Sequence, residues 1–333
     1  MKKTTKILLL ALTLSVVGFL ITMVTSREKD TANTDTQKHQ LLVSILPQKQ
    51  IVERIAGTTN FAVDVLIPPG SSPETYDPTT QEMQKVSQAE MYFRIGKLPF
   101  EEVNLSTFTE INPNMVVVDT SINNTFRELE AHSHADEETH AEEDTHEGEE
   151  FHDEEISDHS DDEETYQEDE SQIDPHVWLA PRMVSEQAEV IYTQLVANYP
   201  EYTESFTANF EQLQSDLTAL DQELSVAFAP IEGKTMLVYH PAFGYLARDY
   251  GFNQEYIEIE GKEPSISDLQ KIIVEAKNDG VRVIFVQKQF STDSAQAIAD
   301  NINGVVVEVD PLAADYFGNM RTIAQTISGT LIQ

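Results

Sequence analysis

The chain is 333 residues long, carries 58 Asp and Glu against 21 Lys and Arg for a formal net charge of −37, and contains no cysteine. Such acidity, with no basic stripe interleaved with aromatics, argues against a nucleic-acid partner; the missing thiols exclude disulfides and thiolate metal sites and leave His, Asp and Glu as ligands. There is length for two domains, each able to bury its own core.

The N-terminus opens Met-Lys-Lys-Thr-Thr-Lys and continues with an apolar stretch from Ile7 to Val24. Basic residues before an apolar run predict export, with the first residues held in the cytoplasm and the rest sent out. The run is of a length between that of a removable signal peptide and that of a membrane anchor. Residues 1–26 are therefore read as one or the other, and the remainder as periplasmic or anchored on the outer side of the cytoplasmic membrane. Residues 27–40 are polar and read as a tether.

From residue 41 short apolar runs alternate with helical patterns. Strands are expected over 41–46, 61–67, 91–95 and 115–119, with helices over 48–56 and 79–90 and a connecting region over 98–112. After residue 230 the pattern returns: strands over 235–239, 255–259, 282–286 and 305–309, and helices over 267–277, 293–302 and 315–328. Strand and helix in alternation predict parallel sheets with crossover helices, here twice over. Between the halves, Phe206, Phe210, Leu213, Leu217, Leu220 and Leu224 recur at helical spacing, and no Gly or Pro falls between residues 201 and 229. A helix this long is either the seam of a coiled-coil dimer or a stiff strut packed along both lobes, and its place inside one chain favours the strut. The expected fold is α/β: two parallel-sheet lobes, 41–200 and 230–333, joined by one long rigid helix over 201–229, in a monomer.

Residues 128–174 stand apart from this pattern, with 23 Asp and Glu, no Lys or Arg, and six of the chain's nine histidines, His132, His134, His140, His146, His152 and His159. Such a segment cannot bury enough apolar surface to offset its chain entropy and is expected to be a disordered loop. Imidazoles crowded among carboxylates suit divalent cations, so the six histidines are read as a secondary, weak metal-binding loop.

Four residues fall at or after the C-terminal ends of strands, where ligands bind in open α/β sheets. Glu74 lies in Pro-Gly-Ser-Ser-Pro-Glu-Thr-Tyr-Asp-Pro (69–78), His176 in Asp-Pro-His-Val-Trp-Leu-Ala-Pro (174–181), His240 in His-Pro-Ala-Phe-Gly-Tyr-Leu (240–246) and Asp310 in Asp-Pro-Leu (310–312). Singly each has a plain role: His176 and Asp310 adjoin Pro as turn or capping residues do, His240 could be a core histidine, and Glu74 a solvated side chain. Together, two imidazoles and two carboxylates make a site for a divalent ion in a cleft between the lobes.

These motifs, with Gly-Lys-Glu-Pro-Ser (261–265), resemble those of the cluster-9 metal-binding solute-binding proteins of ABC transporters, of the zinc-uptake type. The resemblance covers nearly everything from residue 41 to the C-terminus. It implies two lobes on one rigid helix, a single interlobe metal site, and an acidic His-rich loop just before the second ligand, where this chain has one. It further implies His176, His240 and Asp310 as the second, third and fourth ligands, Zn2+ as cargo, and a membrane permease as partner. At the first position family members usually carry His where this chain has Glu74, which adds oxygen character and leaves Mn2+ or Fe2+ possible. A metal-binding surface adhesin is an alternative within the family. An alternative of another class, a zinc hydrolase with Glu74 as general base, lacks the His-Glu-x-x-His signature, and no enzyme activity is expected.

Overall fold

A computed structural model describes residues 38–129, 173–258 and 264–332. The N-terminal apolar segment and the six loop histidines lie outside the described residues. Among those described, no helix is long and apolar enough to cross a membrane.

The first lobe begins with β1 (His39–Val43), whose Leu41, Leu42 and Val43 are all buried, as expected of a central strand covered on both faces. The expected strand over 41–46 ends early because Pro47 opens α1 (Leu46–Ala56): proline has no N–H for a ladder but fits the first helical turn. The strand also starts earlier, since His39 and Gln40 of the supposed tether pair with β2 (Phe61–Val65) through main-chain bonds that polar side chains do not prevent. Next come α2 (Thr80–Gln88), β3 (Met91–Arg94), α3 (Pro99–Ile111) and β4 (Val116–Asp119). Thr79 and Glu82 start α2 with a reciprocal capping box. The sheet order is β2-β1-β3-β4, all parallel.

After residue 173, a single 3-10 turn (Val177–Leu179) leads into α4 (Pro181–Asn198). Its signal is present in the sequence: Met183, Val184, Gln187, Ala188, Ile191 and Leu195 are buried at helical spacing. The long helix, α5 (Thr203–Phe228), buries Phe206, Leu213, Leu217, Leu220, Leu224 and Phe228 against its own chain. It packs on α1, α4 and α9 (Tyr316–Leu331), so the apolar stripe is used within one molecule.

The second lobe repeats the first: β5 (Thr235–Val238), α6 (Gly244–Tyr250), β6 (Asn253–Tyr256), α7 (Ile266–Asn278), β7 (Val283–Gln287), α8 (Asp293–Ile302) and β8 (Val305–Val309), in the order β6-β5-β7-β8 and again all parallel. The strand expected over 255–259 pairs two residues earlier. Gly251, at φ 77°, closes the short helix α6 and returns the chain at once, with the Asn253 N–H donating to the Lys234 carbonyl at 2.8 Å. Alternate residues of this sheet serve two cores. Met236, Val238 and Phe285 face a core continuous with the first lobe. Leu237, Ile284 and Val286 face α7 and α8.

Hydrogen bonds join the lobes beside the cleft. The Trp178 indole N–H donates to the Pro311 carbonyl at 2.9 Å, and the Tyr316 N–H donates to Gln50 Oε1 at 2.7 Å. Both sheets point their C-terminal edges at this region, and both have their topological switch beside the central strand, β1 or β5.

Candidate metal centre

Glu74 comes from the Pro-rich loop after β2. The loop turns through Gly70, whose φ of 85° suits glycine, and the Glu74 N–H donates to Ser72 Oγ at 3.2 Å. The Phe100 N–H donates to the Pro73 carbonyl at 3.3 Å, tying the loop to the start of α3.

His176 comes from the segment that re-enters the fold after the acidic loop. Glu128 and Ile173 form an antiparallel bridge, and the Asp174 N–H donates to the Arg127 carbonyl at 2.9 Å. The expected boundary of the loop is thus corrected: its last residue, Asp174, is fully buried. The Tyr245 hydroxyl closes this stem, accepting from the Arg127 N–H at 3.1 Å and donating to the Asp174 carbonyl at 2.8 Å. Asp174 Oδ1 then accepts from both the backbone N–H of His176, at 3.0 Å, and its ring Nδ1, at 2.8 Å.

His240 extends β5 by two residues and is held on three sides. Its N–H donates to Gln287 Oε1 at 3.3 Å, while Gln287 Nε2 donates to its carbonyl at 2.5 Å. The Phe290 ring stacks on the imidazole at 4.9 Å. Glu258 Oε2 lies 2.6 Å from Nδ1. With a carboxylate on each Nδ1, both rings turn Nε2 toward the same point, and a ring that gives up its Nε2 proton to a metal ion keeps the one on Nδ1.

That point is shared by Glu74. Glu74 Oε1 lies 3.0 Å from His240 Nε2 and 3.9 Å from His176 Nε2, and the two Nε2 atoms are 3.1 Å apart. A tetrahedral ion with bonds of about 2.0–2.1 Å would set its ligands roughly 3.3–3.4 Å apart. The triangle brackets that spacing. It is a group of three potential ligands brought together by the described residues, both imidazoles being buried and Glu74 partly so. The surrounding cleft is walled by Pro73, Trp178, Ala242, Phe290 and Leu312. A dry wall of this kind strengthens the attraction between a cation and the anionic groups inside.

Electrostatics match the geometry. Burial would lower the affinity of His240 for a proton, but hydrogen bonds and charge from Glu258 and Glu74 outweigh it and push the pKa up to about 9. Burial would raise that of Glu74, yet the His240 hydrogen bond and the charges of His240 and His176 bring it below its ordinary value. The pocket is therefore built to hold positive charge at its centre, whether as protons or as a metal ion.

Asp310 is not in the group of three. Its Oδ1 accepts from the Leu312 N–H at 3.0 Å and lies 3.5 Å from Gln289 Nε2, and its Oδ2 is 3.6 Å from Lys288 Nζ. This is the turn role common for an acid before proline. Its neighbours Pro311 and Leu312 do line the cleft. Asp174 and Glu258 were not singled out by the sequence. For Glu258 a signal existed, since the end-of-strand argument that selects Asp310 applies equally to it; for Asp174, the acidic run before it hid the change from solvent to core.

Both the sequence and the fold match proteins already known. Residues 41–330 match the family model of the zinc-uptake complex component A, periplasmic. The chain belongs to that family. A crystal structure of ZnuA superposes with a TM-score of 0.73 at 32% identity, covering 88% of this chain and 99% of that one. A putative metal-binding protein of Chlamydia trachomatis is 26% identical over 86% of this chain and 90% of its own length. The zinc-binding protein AdcA of Streptococcus pyogenes is 26% identical over 87% of this chain and 55% of its own length, so the chain spans about half of that relative. These relatives are binding proteins, and the chain stands with them rather than with enzymes.

Proposed function

We propose that this protein captures Zn2+ outside the cytoplasmic membrane and delivers it to the membrane permease of an ABC transporter. The observation that carries the reading is the convergence of His176 Nε2, His240 Nε2 and Glu74 Oε1, each imidazole backed by its own buried carboxylate. Two nitrogens and an oxygen at tetrahedral spacing are a zinc donor set. Asp310, whose neighbours Pro311 and Leu312 line the cleft, is the fourth ligand in this reading. The basic and apolar N-terminal segment, as a signal peptide or an anchor, places the chain on the outer side of the membrane. Loop residues His132, His134, His140, His146, His152 and His159 add weak sites that act as a zinc reservoir for the tight one. Because Glu74 stands where relatives usually have His, Mn2+ or Fe2+ is the second reading for the cargo.

Competitive titration of the purified chain, with a chelator strong enough to strip weak sites, tests this. One tight zinc site is expected, and His176→Ala and His240→Ala should each weaken it at least tenfold, about 1.4 kcal/mol. Unchanged affinity in both variants removes the assignment, and a tight site preferring Mn2+ replaces zinc as the cargo. Cells lacking the protein should take up zinc normally when it is plentiful and fall behind when it is scarce.

A further inference from the structure

Glu258 is a charged side chain with only 4% of its surface exposed, in a position that neither the sequence motifs nor the ligand set explains. Burying a carboxylate is costly unless hydrogen bonds and a specific partner compensate. Its backbone is fixed, since its N–H donates to the Tyr239 carbonyl at 2.9 Å and the preceding Ile257 N–H donates to the Val238 carbonyl at 3.0 Å. The chain thereby runs on beside β5 past the end of the regular ladder and carries Glu258 alongside His240. Its carboxylate meets Nδ1, the nitrogen turned away from the group of three, at 2.6 Å.

We propose that Glu258 is a positioning residue that sets the metal affinity of the site through His240. The inference rests on the reading of His240 as a ligand. By accepting the Nδ1 proton, Glu258 holds the tautomer in which Nε2 carries the lone pair, fixes the ring against rotation about its Cβ–Cγ bond, and makes the imidazole a stronger donor. Phe290 at 4.9 Å fixes the ring plane, and the Gln287 amide fixes the backbone of the same residue. Asp174 does the same for His176, but it also caps the His176 N–H and closes the loop stem, so its removal would disturb the fold. Glu258 offers the cleaner probe. Glu74 differs from both histidines: its backbone N–H donates to Ser72 Oγ while its carboxylate meets the imidazoles directly. Two rigid nitrogens and one adaptable oxygen then define the site, with Glu258 responsible for the rigidity of one nitrogen.

The test uses the full chain, with Zn2+ as the probe and a strong competing chelator. Glu258→Ala should lower zinc affinity roughly 10–100-fold, the range typical of lost outer partners of a ligating histidine. The metal-free protein should lose some thermal stability in Glu258→Ala, because the buried His240 imidazole loses its acceptor, and regain most of it in Glu258→Gln. Glu258→Gln, whose amide oxygen can still accept the Nδ1 proton, should recover most of the affinity. In a His240→Ala background Glu258→Ala should change affinity less than twofold, since the ring through which it acts is gone. Wild-type affinity in Glu258→Ala overturns the proposal. So does an additive loss in the double variant, or a loss in Glu258→Ala and Glu258→Gln alike that follows a fall in metal-free stability. A wild-type chain that binds no zinc, or a His240→Ala chain that binds it unchanged, would instead refute the ligand reading.

Discussion

The switch point of the first sheet, between β1 and β3, is filled by the chain itself. Glu101, in the first turn of α3, is fully buried there; Oε1 accepts the Ile95 N–H and Oε2 the Gly96 N–H, each at 2.7 Å. The Ser44 hydroxyl also donates to it and meets the Tyr92 hydroxyl at 2.7 Å. Burial pushes the pKa of Glu101 up to about 7, the Ser44 hydroxyl, the two N–H groups and Arg94 offsetting only part of the effect. Since the folded value lies above the ordinary 4.5, the group binds its proton more tightly when folded. Its stabilisation is complete below pH 4.5 and is lost as pH rises through 7. At about 1.4 kcal/mol per pH unit, a shift of this size amounts to ~3 kcal/mol, most of it lost between pH 5 and 7. Glu101→Gln removes that dependence but has one acceptor oxygen for two N–H donors, a cost of ~1–3 kcal/mol at every pH. The variant should therefore trail wild type at pH 5 and draw level with it or pass it at pH 8. Urea midpoints of both proteins, freed of metal by a chelator, check this at the two pH values. Parallel behaviour of wild type and variant would refute the reasoning and mean that the two N–H donors keep Glu101 ionised throughout.

The first ligand position is open to a direct comparison: Glu74→His should sharpen the preference for Zn2+ over Mn2+, and an unchanged metal ranking in competition titrations would show that Glu74 does not reach the ion. Trp178→Phe keeps the buried ring but leaves the Pro311 carbonyl without its donor, so the melting temperature should fall by an amount corresponding to ~1–3 kcal/mol. Because Pro311 follows Asp310, zinc should also leave this variant faster in stopped-flow chelation, and an unchanged release rate would separate the lobe contact from the site. Replacing residues 130–172 by a short Gly/Ser turn should preserve the melting temperature and the single tight site while removing weak ones, because Glu128 and Ile173 are already paired across the stem. Calorimetric titration that finds one class of site with and without the segment would rule out a reservoir.

Alternating strand and helix patterns on either side of one uninterrupted helix determined the two-lobe α/β architecture from the sequence alone. Those patterns record local periodicity, which is a property of neighbouring residues. The same is true of Glu74, His176 and His240, each placed by its own strand end or turn, and here a motif suffices because the geometry is local to it. What the tertiary structure decided is which groups meet. Gly251 moved β6 earlier than its apolar run suggests and so set Glu258 against His240. The stem bridge took Asp174 out of an acidic run and into the core behind His176. The Leu312 N–H and Lys288 compete for Asp310, which left it outside the group that its motif implies. Burial depends on contacts between residues tens to hundreds of positions apart, and a carboxylate's role as ligand, as support for a ligand, or as turn former follows from burial and partner rather than from residue type.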